Sequence, residues 1–260
     1  MNYKNQSILL IFISAIVSIL LICLLLISNY IINDLKINDV FIPITTSLKD
    51  VGEIPTSKFA YLTFDDGPTH VVTPAILDIL KKENVKATFF VVGKEIEGRE
   101  NILKRIYTEG HSIGLHTYSH NFKKIYRSCD EFIGEMKKTS DKVKEVTGFS
   151  PKIIRFPGGS SKRLNDFTLI DIHKNNYKVY DWNVNICDGI NPNLSVSELI
   201  KNSHTIKGNK NEAIILMHCN SNNKTTVKAL SGIIKYYHDL GYTFKAITTS
   251  TPEYYYRFKN

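Results

Sequence analysis

Two adjacent carboxylates, Asp65 and Asp66, directly follow the apolar segment 59–64 in the sequence Thr-Phe-Asp-Asp-Gly-Pro. Two neighbouring carboxylates are costly when both are desolvated without partners. Such a pair therefore indicates acid–base chemistry or a bound cation. Asp-Gly-Pro is also typical of a turn, which is the alternative interpretation of this segment.

A second apolar segment, 112–116, ends in His116, and His120 follows four positions later. Histidines at i and i+4 converge on one metal ion from a single turn of helix, the geometric logic of the HExxH motif. Neutral imidazole suits zinc and similar divalent ions. Because the chain has eight histidines, a capped or packed pair is the alternative. His111 precedes the segment, and we expect it to be structural.

Two further apolar segments end in groups that bind anions or transfer protons. Arg155 lies in the segment 153–156, where its charge needs an anion, and Pro-Gly-Gly at 157–159 gives a rigid bend with exposed amides that suit an oxyanion. His218 ends the segment 213–218. A histidine at that point favours proton transfer, with a packed core histidine as the alternative.

The region between these two segments carries Asp181, Trp182 and Asp188. Trp182 is the single tryptophan of the chain. Packing in the core explains it at least as well as stacking on a sugar ring.

These polar residues interrupt a repeating pattern of short apolar segments and amphipathic helices. The seven strand candidates are Phe59–Phe64, Ala87–Val92, Ser112–His116, Ile153–Phe156, Lys178–Val184, Ala213–His218 and Thr243–Ile247. The alternation predicts parallel pairing, hence an α/β barrel or an open doubly wound sheet. Such folds place their chemistry at the carboxyl ends of the strands, where these polar residues lie.

Composition excludes several classes of protein. With 43% hydrophobic and 22% charged residues, the chain is neither disordered nor collagen-like. The net charge of +8 falls on residues 59–260, because the positive and negative side chains of residues 1–58 are equal in number. Without a basic cluster or a nucleic-acid motif, we expect a solvated basic surface and no nucleic-acid partner. Four cysteines without CxxC spacing exclude a disulfide-dense scaffold and argue against a cysteine metal site.

The segment Ser7–Ser28 contains 22 residues without a charge. A run of this length crosses a hydrocarbon core as a helix. A cleaved signal peptide is the alternative, but its apolar region is shorter and ends at small residues, whereas this run leads into Asn29-Tyr30-Ile31-Ile32 with no Ala-x-Ala. Lipid modification of Cys23 is disfavoured because the bulky Ile22 precedes it.

The same segment sets the expected domain organisation and location. We predict a cytoplasmic amino terminus with a transmembrane anchor over 1–32, an extracellular stalk over 33–58, and a catalytic domain over 59–260. Lys4 before the apolar run and near-neutral sequence after it favour this orientation by the positive-inside rule. The expected location is the cell membrane, with one membrane pass and the catalytic domain outside.

Five stretches, taken in order, resemble the motifs of the polysaccharide deacetylase family, carbohydrate esterases that remove N-acetyl groups from chitin-like or peptidoglycan glycans. The matching stretches are TFDDGP at 63–68, HTYSH at 116–120, RFPGG at 155–159, the segment 182–188 and LMH at 216–218. The resemblance extends over about residues 59–249. It implies a distorted (β/α)₇ barrel, here preceded by the single predicted transmembrane helix.

The resemblance also implies roles for the first half of the site. Asp66, His116 and His120 are similar to the three metal ligands of the family. Asp65 would be the general base, and Arg155 would orient it. The implied cofactor is a divalent metal, zinc first, with cobalt or another transition metal as the alternatives.

For the second half of the site, the resemblance implies that His218 is the general acid and that Asp188 holds it. The backbone amide of Gly158 would donate to the oxyanion, Leu216 would wall the acetyl-methyl pocket, and Trp182 belongs to the substrate side.

One departure from the family pattern concerns the residue after Asp188. Members often have tryptophan there, and this chain has Gly189. The departure weakens the assignment of Asp188, so that Asp181 is the alternative partner of His218.

The expected substrate is cell-wall glycan, in the first place N-acetylglucosamine of peptidoglycan, whose free amines would blunt lysozyme-type cleavage. N-acetylmuramic acid, a poly-N-acetylglucosamine exopolysaccharide and chitin oligomers are alternatives. A non-catalytic glycan-binding barrel and a hydrolase of another amide or of an O-acetyl ester also stay open. No obligate protein partner is expected.

Overall fold

The computed structural model of the chain describes residues 17, 20–24, 26 and 57–256. The first seven of these residues are helical. Within the described part of the chain, no helix is both long and apolar enough to cross a membrane. The rest of the predicted anchor over 1–32, and the predicted stalk up to residue 56, lie outside the described residues.

The core of the domain is a sheet in which every strand ladder is parallel. Its strands are β1 (Lys58–Asp65), β2 (Thr88–Val91), β3 (Ser112–Leu115), β4 (Ile153–Ile154), β5 (Lys178–Val179), β6 (Val184–Asn185), β7 (Glu212–His218) and β8 (Tyr242–Phe244). Their order is β5-β4-β3-β2-β1-β7-β6, and β8 pairs with the start of β1. The first five strands follow chain order, which is the winding of a barrel and not of a doubly wound sheet.

Helices connect most of the strands. They are α1 (Val72–Lys82), α2 (Glu100–Thr108), α3 (Phe122–Ile125), α4 (Cys129–Thr147), α5 (Asp166–Lys174), α6 (Val196–Ser203) and α7 (Lys224–Asp239), with a 3₁₀ turn at Gly93–Ile96. The longest, α4, begins where Ser128 accepts a hydrogen bond from the Glu131 N–H and ends at Gly148, whose φ of 75° suits glycine.

The predicted α/β class and parallel pairing are confirmed, but the barrel is not closed. Among the described residues no ladder joins β5 to β6. The segment 253–256 lies beside β5 instead: Tyr254 forms a parallel bridge with Tyr180, and Glu253 accepts a hydrogen bond from the Val179 N–H at 2.6 Å.

The predicted strand Lys178–Val184 was wrong as one element, because the structure divides it into β5 and β6. Between the two strands, Asp181 turns its carboxylate to the N–H groups of Ser160 and Tyr256. The backbone N–H of Asp181 donates to the Tyr254 carbonyl. These contacts join residues that are far apart in sequence, and they replace the ladder that would continue β5.

The alternation of side chains along β1 separates the core from the site. Ala60, Leu62 and Phe64 pack into the large apolar cluster that includes residues of the helices. On the other face, Tyr61 packs against a smaller apolar cluster inside the barrel. Asp65 ends this inner face at the carboxyl edge of the sheet.

Candidate active site

Asp66, His116 and His120 converge at the carboxyl edge of the sheet. The Asp66 Oδ1 atom lies 3.3 Å from His120 Nε2 and 3.6 Å from His116 Nε2. One ligand atom from each residue can be chosen so that all three lie within 4.8 Å of one another. The sequence therefore folds so that a carboxylate after β1 meets two imidazoles after β3.

The donor set fits a divalent transition metal. The Nδ1 atom of His116 lies 2.9 Å from the Arg155 carbonyl, which accepts its hydrogen and leaves the lone pair of Nε2 toward Asp66. A ligand histidine held in this way by a second group is the usual arrangement at metal centres. The Oδ1 atom of Asp66 is buried and accepts no hydrogen bond from the described residues. A cation would satisfy it.

The two histidines do not lie on one turn of helix, as the i, i+4 spacing suggested. β3 ends at Leu115, and residues 116–121 form an irregular loop. Within it Thr117 and His120 have φ values of 64° and 51°, in the left-handed region that L-residues rarely adopt. The helical interpretation was wrong because a folded-back loop brings the rings together.

The neighbouring carboxylate, Asp65, is held by Arg155. One guanidinium nitrogen, Nη1, donates to Asp65 Oδ1 at 2.9 Å and to Thr63 Oγ1 at 2.7 Å. The other nitrogens donate to the carbonyls of Tyr180 and Asp181 at 2.7 and 2.9 Å. Arg155 is fully buried, and the Asp65 carboxylate balances its charge. Burial raises the pKa of Asp65 above its usual range, although the Arg155 charge opposes the shift.

On the opposite side of the cavity, His218 is paired with Asp188. The His218 Nδ1 atom lies 2.8 Å from Asp188 Oδ1, and the His218 N–H donates to Asp188 Oδ2 at 2.9 Å. Thr226 Oγ1 donates to the same carboxylate, and Asn223 donates to the Asp188 carbonyl. Burial lowers the pKa of His218, but the hydrogen bond and charge of Asp188, with help from Asp65, outweigh burial and raise it to about 9.

The alternative partner, Asp181, points elsewhere. Its carboxylate accepts the hydroxyl and N–H of Ser160 and the N–H of Tyr256. The structure therefore places Asp188 beside His218, whereas the Asp181 carboxylate binds Ser160 in the loop that follows β4.

Gly189, the departure from the family pattern, lies against the imidazole of His218. A Cβ atom at this position would overlap the ring atoms of His218. A side chain at residue 189 would therefore require the ring or the backbone beside it to shift from the positions seen here.

These groups line one cavity of about 370 Å³, which is in the range of small-molecule sites, ~300–1,000 Å³. Its walls include Gly158, Trp182, Leu216 and the exposed Ile190. Gly158 has a φ of 73°, and its N–H donates no hydrogen bond to any described residue. The Arg155 guanidinium lies 5.7 Å from the centroid of the Trp182 ring.

Sequence reasoning missed several residues that hold the site. Thr63 accepts a hydrogen bond from the same Arg155 nitrogen that binds Asp65. Asn223 and Thr226 donate hydrogen bonds to Asp188, the partner of His218. Glu135 binds the loop between the other two histidines. Only Thr63 had a sequence signal, because it belongs to the TFDDGP stretch. Glu135 and Thr226 lie in helices and Asn223 directly precedes one, so that all three look like ordinary polar positions.

Comparison with known proteins gives a consistent result. The sequence profile of the family described as "Polysaccharide deacetylase" matches residues 52–180. A Bacillus cereus protein named peptidoglycan-N-acetylglucosamine deacetylase is 35% identical over 73% of this chain and 69% of its own length. For the first seven curated relatives, the matched share of their length runs from 43% to 71%. Much of several of these relatives therefore has no counterpart in the alignment.

Solved structures share the fold. The catalytic domain of peptidoglycan N-acetylglucosamine deacetylase from Eubacterium rectale has a TM-score of 0.70 and 32% identity, and the match covers 79% of this chain and 96% of that one. A CE4 family pseudoenzyme from Bacillus anthracis also matches, with a TM-score of 0.63, 25% identity, and coverage of 74% and 65%. Fold alone therefore does not decide whether such a barrel is catalytic, and the residues of the cavity must be weighed.

Proposed function

The chain belongs to the polysaccharide deacetylase family, and from this premise we propose that it is a metal-dependent N-deacetylase of cell-wall glycan. The substrate we propose is N-acetylglucosamine of peptidoglycan, which is named in the relatives from Bacillus cereus and Eubacterium rectale. The observation that carries the proposal is the cavity that brings three ionisable groupings together: a ligand triad, a carboxylate held by arginine, and a histidine held by carboxylate.

Asp66, His116 and His120 are the residues that would hold the ion, either zinc or another divalent transition metal such as cobalt. A bound ion of this kind supplies Lewis acidity, which polarises the amide carbonyl and lowers the pKa of water.

Asp65 is the proposed general base, which takes the proton from the attacking water. Its Oδ2 atom lies 3.7 Å from His116 Nε2, so the carboxylate faces the proposed ion site. Its other oxygen accepts the hydrogen bond from Arg155, which fixes the orientation of the carboxylate. The two adjacent aspartates thus take different roles because they have different partners.

Gly158 is the proposed oxyanion donor, since its N–H is free of partners among the described residues and it lines the cavity. Leu216, buried at the floor of the same cavity, would contact the acetyl methyl group. Trp182, which lines the same cavity, would contact the sugar.

His218 is the proposed general acid, which protonates the departing amine. An amide anion is too poor a leaving group to depart without that proton. With a pKa raised to about 9, the imidazole carries the proton at neutral pH, and Asp188 keeps the ring oriented.

We also propose that the domain faces outward from a membrane anchor formed by the uncharged run Ser7–Ser28. Fractionation of cells that express the full chain, with the mass of the product, tests this. We expect an uncleaved protein in the membrane fraction. A shortened protein in the medium would contradict the anchor and leave the enzymatic proposal untouched.

The direct test of the enzymatic proposal is acetate release from purified peptidoglycan, with and without a chelator. We expect release that stops with the chelator and returns with added Zn²⁺ or Co²⁺. Chitin oligomers and poly-N-acetylglucosamine, assayed in parallel, separate the substrate alternatives. Binding of glycan without acetate release from any of them would favour a non-catalytic barrel, as in the pseudoenzyme relative.

A further inference from the structure

The loop that joins His116 to His120 is held from two sides by the rest of the fold. On one side, the carbonyls of Thr117 and Tyr118 accept hydrogen bonds from the N–H groups of Gly93 and Lys94, both at 3.0 Å. These donors belong to the 3₁₀ turn after β2, and all four groups are backbone. This side of the loop therefore depends little on side-chain identity.

The other side of the loop is held by side chains of α4. The Thr117 N–H donates to the Met136 Sδ atom at 3.4 Å, and the charged acceptor is Glu135. Its Oε2 atom accepts the N–H groups of Tyr118 and Ser119 at 3.0 and 2.6 Å. These are two of the three residues between the histidines. Glu135 lies in the middle of α4 and is only 4% exposed, and its Oε1 atom accepts Lys124 Nζ at 2.8 Å. Lys124 belongs to α3, which begins two residues after His120.

We propose that Glu135 is a positioning residue that sets the affinity of the ligand triad for its metal ion. The inference rests on the metal site of the proposed function. Left-handed residues such as Thr117 and His120 cost free energy and persist only where surrounding contacts determine them. Hydrogen bonds to a charged acceptor are stronger than neutral ones. The Glu135 carboxylate therefore holds the loop in the conformation that keeps the two imidazoles in reach of one ion.

The experiment titrates metal-free protein with Zn²⁺ against a chromophoric chelator, without any glycan. Glu135→Ala removes the acceptor of two N–H groups, and we expect the Kd for Zn²⁺ to rise by ~10- to 100-fold, the usual effect of losing a group that supports metal ligands. Glu131→Ala is the matched control, since Glu131 lies one turn earlier on α4 and pairs with Arg127. Its Kd should equal that of the wild type.

Two substitutions at the same position separate the acceptor from simple packing. Glu135→Gln keeps an oxygen where the N–H groups point, so we expect partial rescue, with a Kd between those of wild type and Glu135→Ala. Glu135→Leu fills the space without an acceptor, so its Kd should be as high as that of Glu135→Ala. Co²⁺ spectra of the loaded proteins should change in Glu135→Ala and Glu135→Leu and resemble wild type in Glu135→Gln.

A milder pair of variants keeps the test valid if the Glu135 variants fail to fold. Lys124→Met removes the cation that orients the carboxylate and should weaken Zn²⁺ binding, whereas Lys123→Met, at an exposed neighbouring position on α3, should not.

The outcomes distinguish this inference from the proposed function. If wild type binds no metal ion, the metal site of the proposed function fails. If wild type binds Zn²⁺ and the folded Glu135→Ala or Glu135→Leu variant binds it equally well, Glu135 is not a positioning residue. If Lys124→Met binds Zn²⁺ as tightly as Lys123→Met and wild type do, that result would likewise show that Glu135 does not position the ligands.

Discussion

Two histidines line the same cavity, the buried His116 and the partly buried His218, and their pKa values are shifted in opposite directions. Burial lowers the pKa of His116 to about 3, against a weaker opposing effect of Asp66. The pKa of His218 is instead raised to about 9. At neutral pH one ring is therefore neutral and the other is protonated.

The partner of Nδ1 explains the difference. In His116 it faces the Arg155 carbonyl, which is uncharged and cannot offset the loss of water around an imidazolium. In His218, whose side chain is 16% exposed, Nδ1 faces the Asp188 carboxylate, and the ion pair outweighs the loss of water around the ring. Burial alone therefore does not decide the role of a histidine in this cavity. A neutral acceptor leaves a ring ready to bind a metal ion, and a carboxylate leaves one ready to donate a proton.

The largest expected effect is on the neutral side of the comparison. The double variant His116→Ala/His120→Ala removes two of the three proposed ligands, so bound metal and acetate release should both fall to background. Elemental analysis measures the bound metal, and acetate release from peptidoglycan measures the activity. Stoichiometric metal in the folded double variant would rule out the triad.

The next effect separates the two adjacent carboxylates. Asp65→Asn should keep the metal ion and lower turnover by ~10²- to 10⁴-fold, the contribution of a general base. Asp66→Asn should lose both metal and turnover. The reverse result, with metal lost in Asp65→Asn and kept in Asp66→Asn, would exchange the two assignments.

A smaller effect is expected on the protonated side. Asp188→Asn removes the charge that raises the pKa of His218, so the ring loses its proton at lower pH. Since the acid must be protonated, the basic limb of the rate–pH profile should move to lower pH and the maximum should fall, with metal content unchanged. The acidic limb, which we expect to report either Asp65 or the attacking water, should stay in place.

Asp181→Asn is the control for that prediction, because its carboxylate contacts Ser160 and Tyr256 instead of His218. Its basic limb should overlay that of wild type. A shift in Asp181→Asn without one in Asp188→Asn would show that Asp188 is not the partner that sets the titration of His218.

The order of motifs along the chain was enough to predict parallel strand–helix units and the edge at which polar residues gather. The first strand was placed to within a residue at each end, because its apolar run and its terminal aspartates are unambiguous. The segment 178–184 was not, since contacts with residues about 75 positions later divide it into β5 and β6.

The details of the site were harder to predict for a similar reason. The spacing of His116 and His120 suggested a helix, and nothing local in the sequence predicts Thr117 in the left-handed region. The choice between Asp181 and Asp188 also stayed open, because it depends on which loop reaches His218. Such choices are made by tertiary contacts, which a single sequence does not display.

One cavity thus holds a neutral histidine and a protonated one, and the proposed division of labour depends on that difference. The most direct measurement is ¹⁵N NMR of the imidazole rings in the metal-free protein, with signals assigned from His116→Gln and His218→Gln variants. We expect that at pH 7 His218 carries a proton on both ring nitrogens and titrates near pH 9. We expect His116 to stay neutral down to pH 5, with its proton on Nδ1. A neutral His218 at pH 7, or a His116 that is protonated above pH 6, would contradict this division.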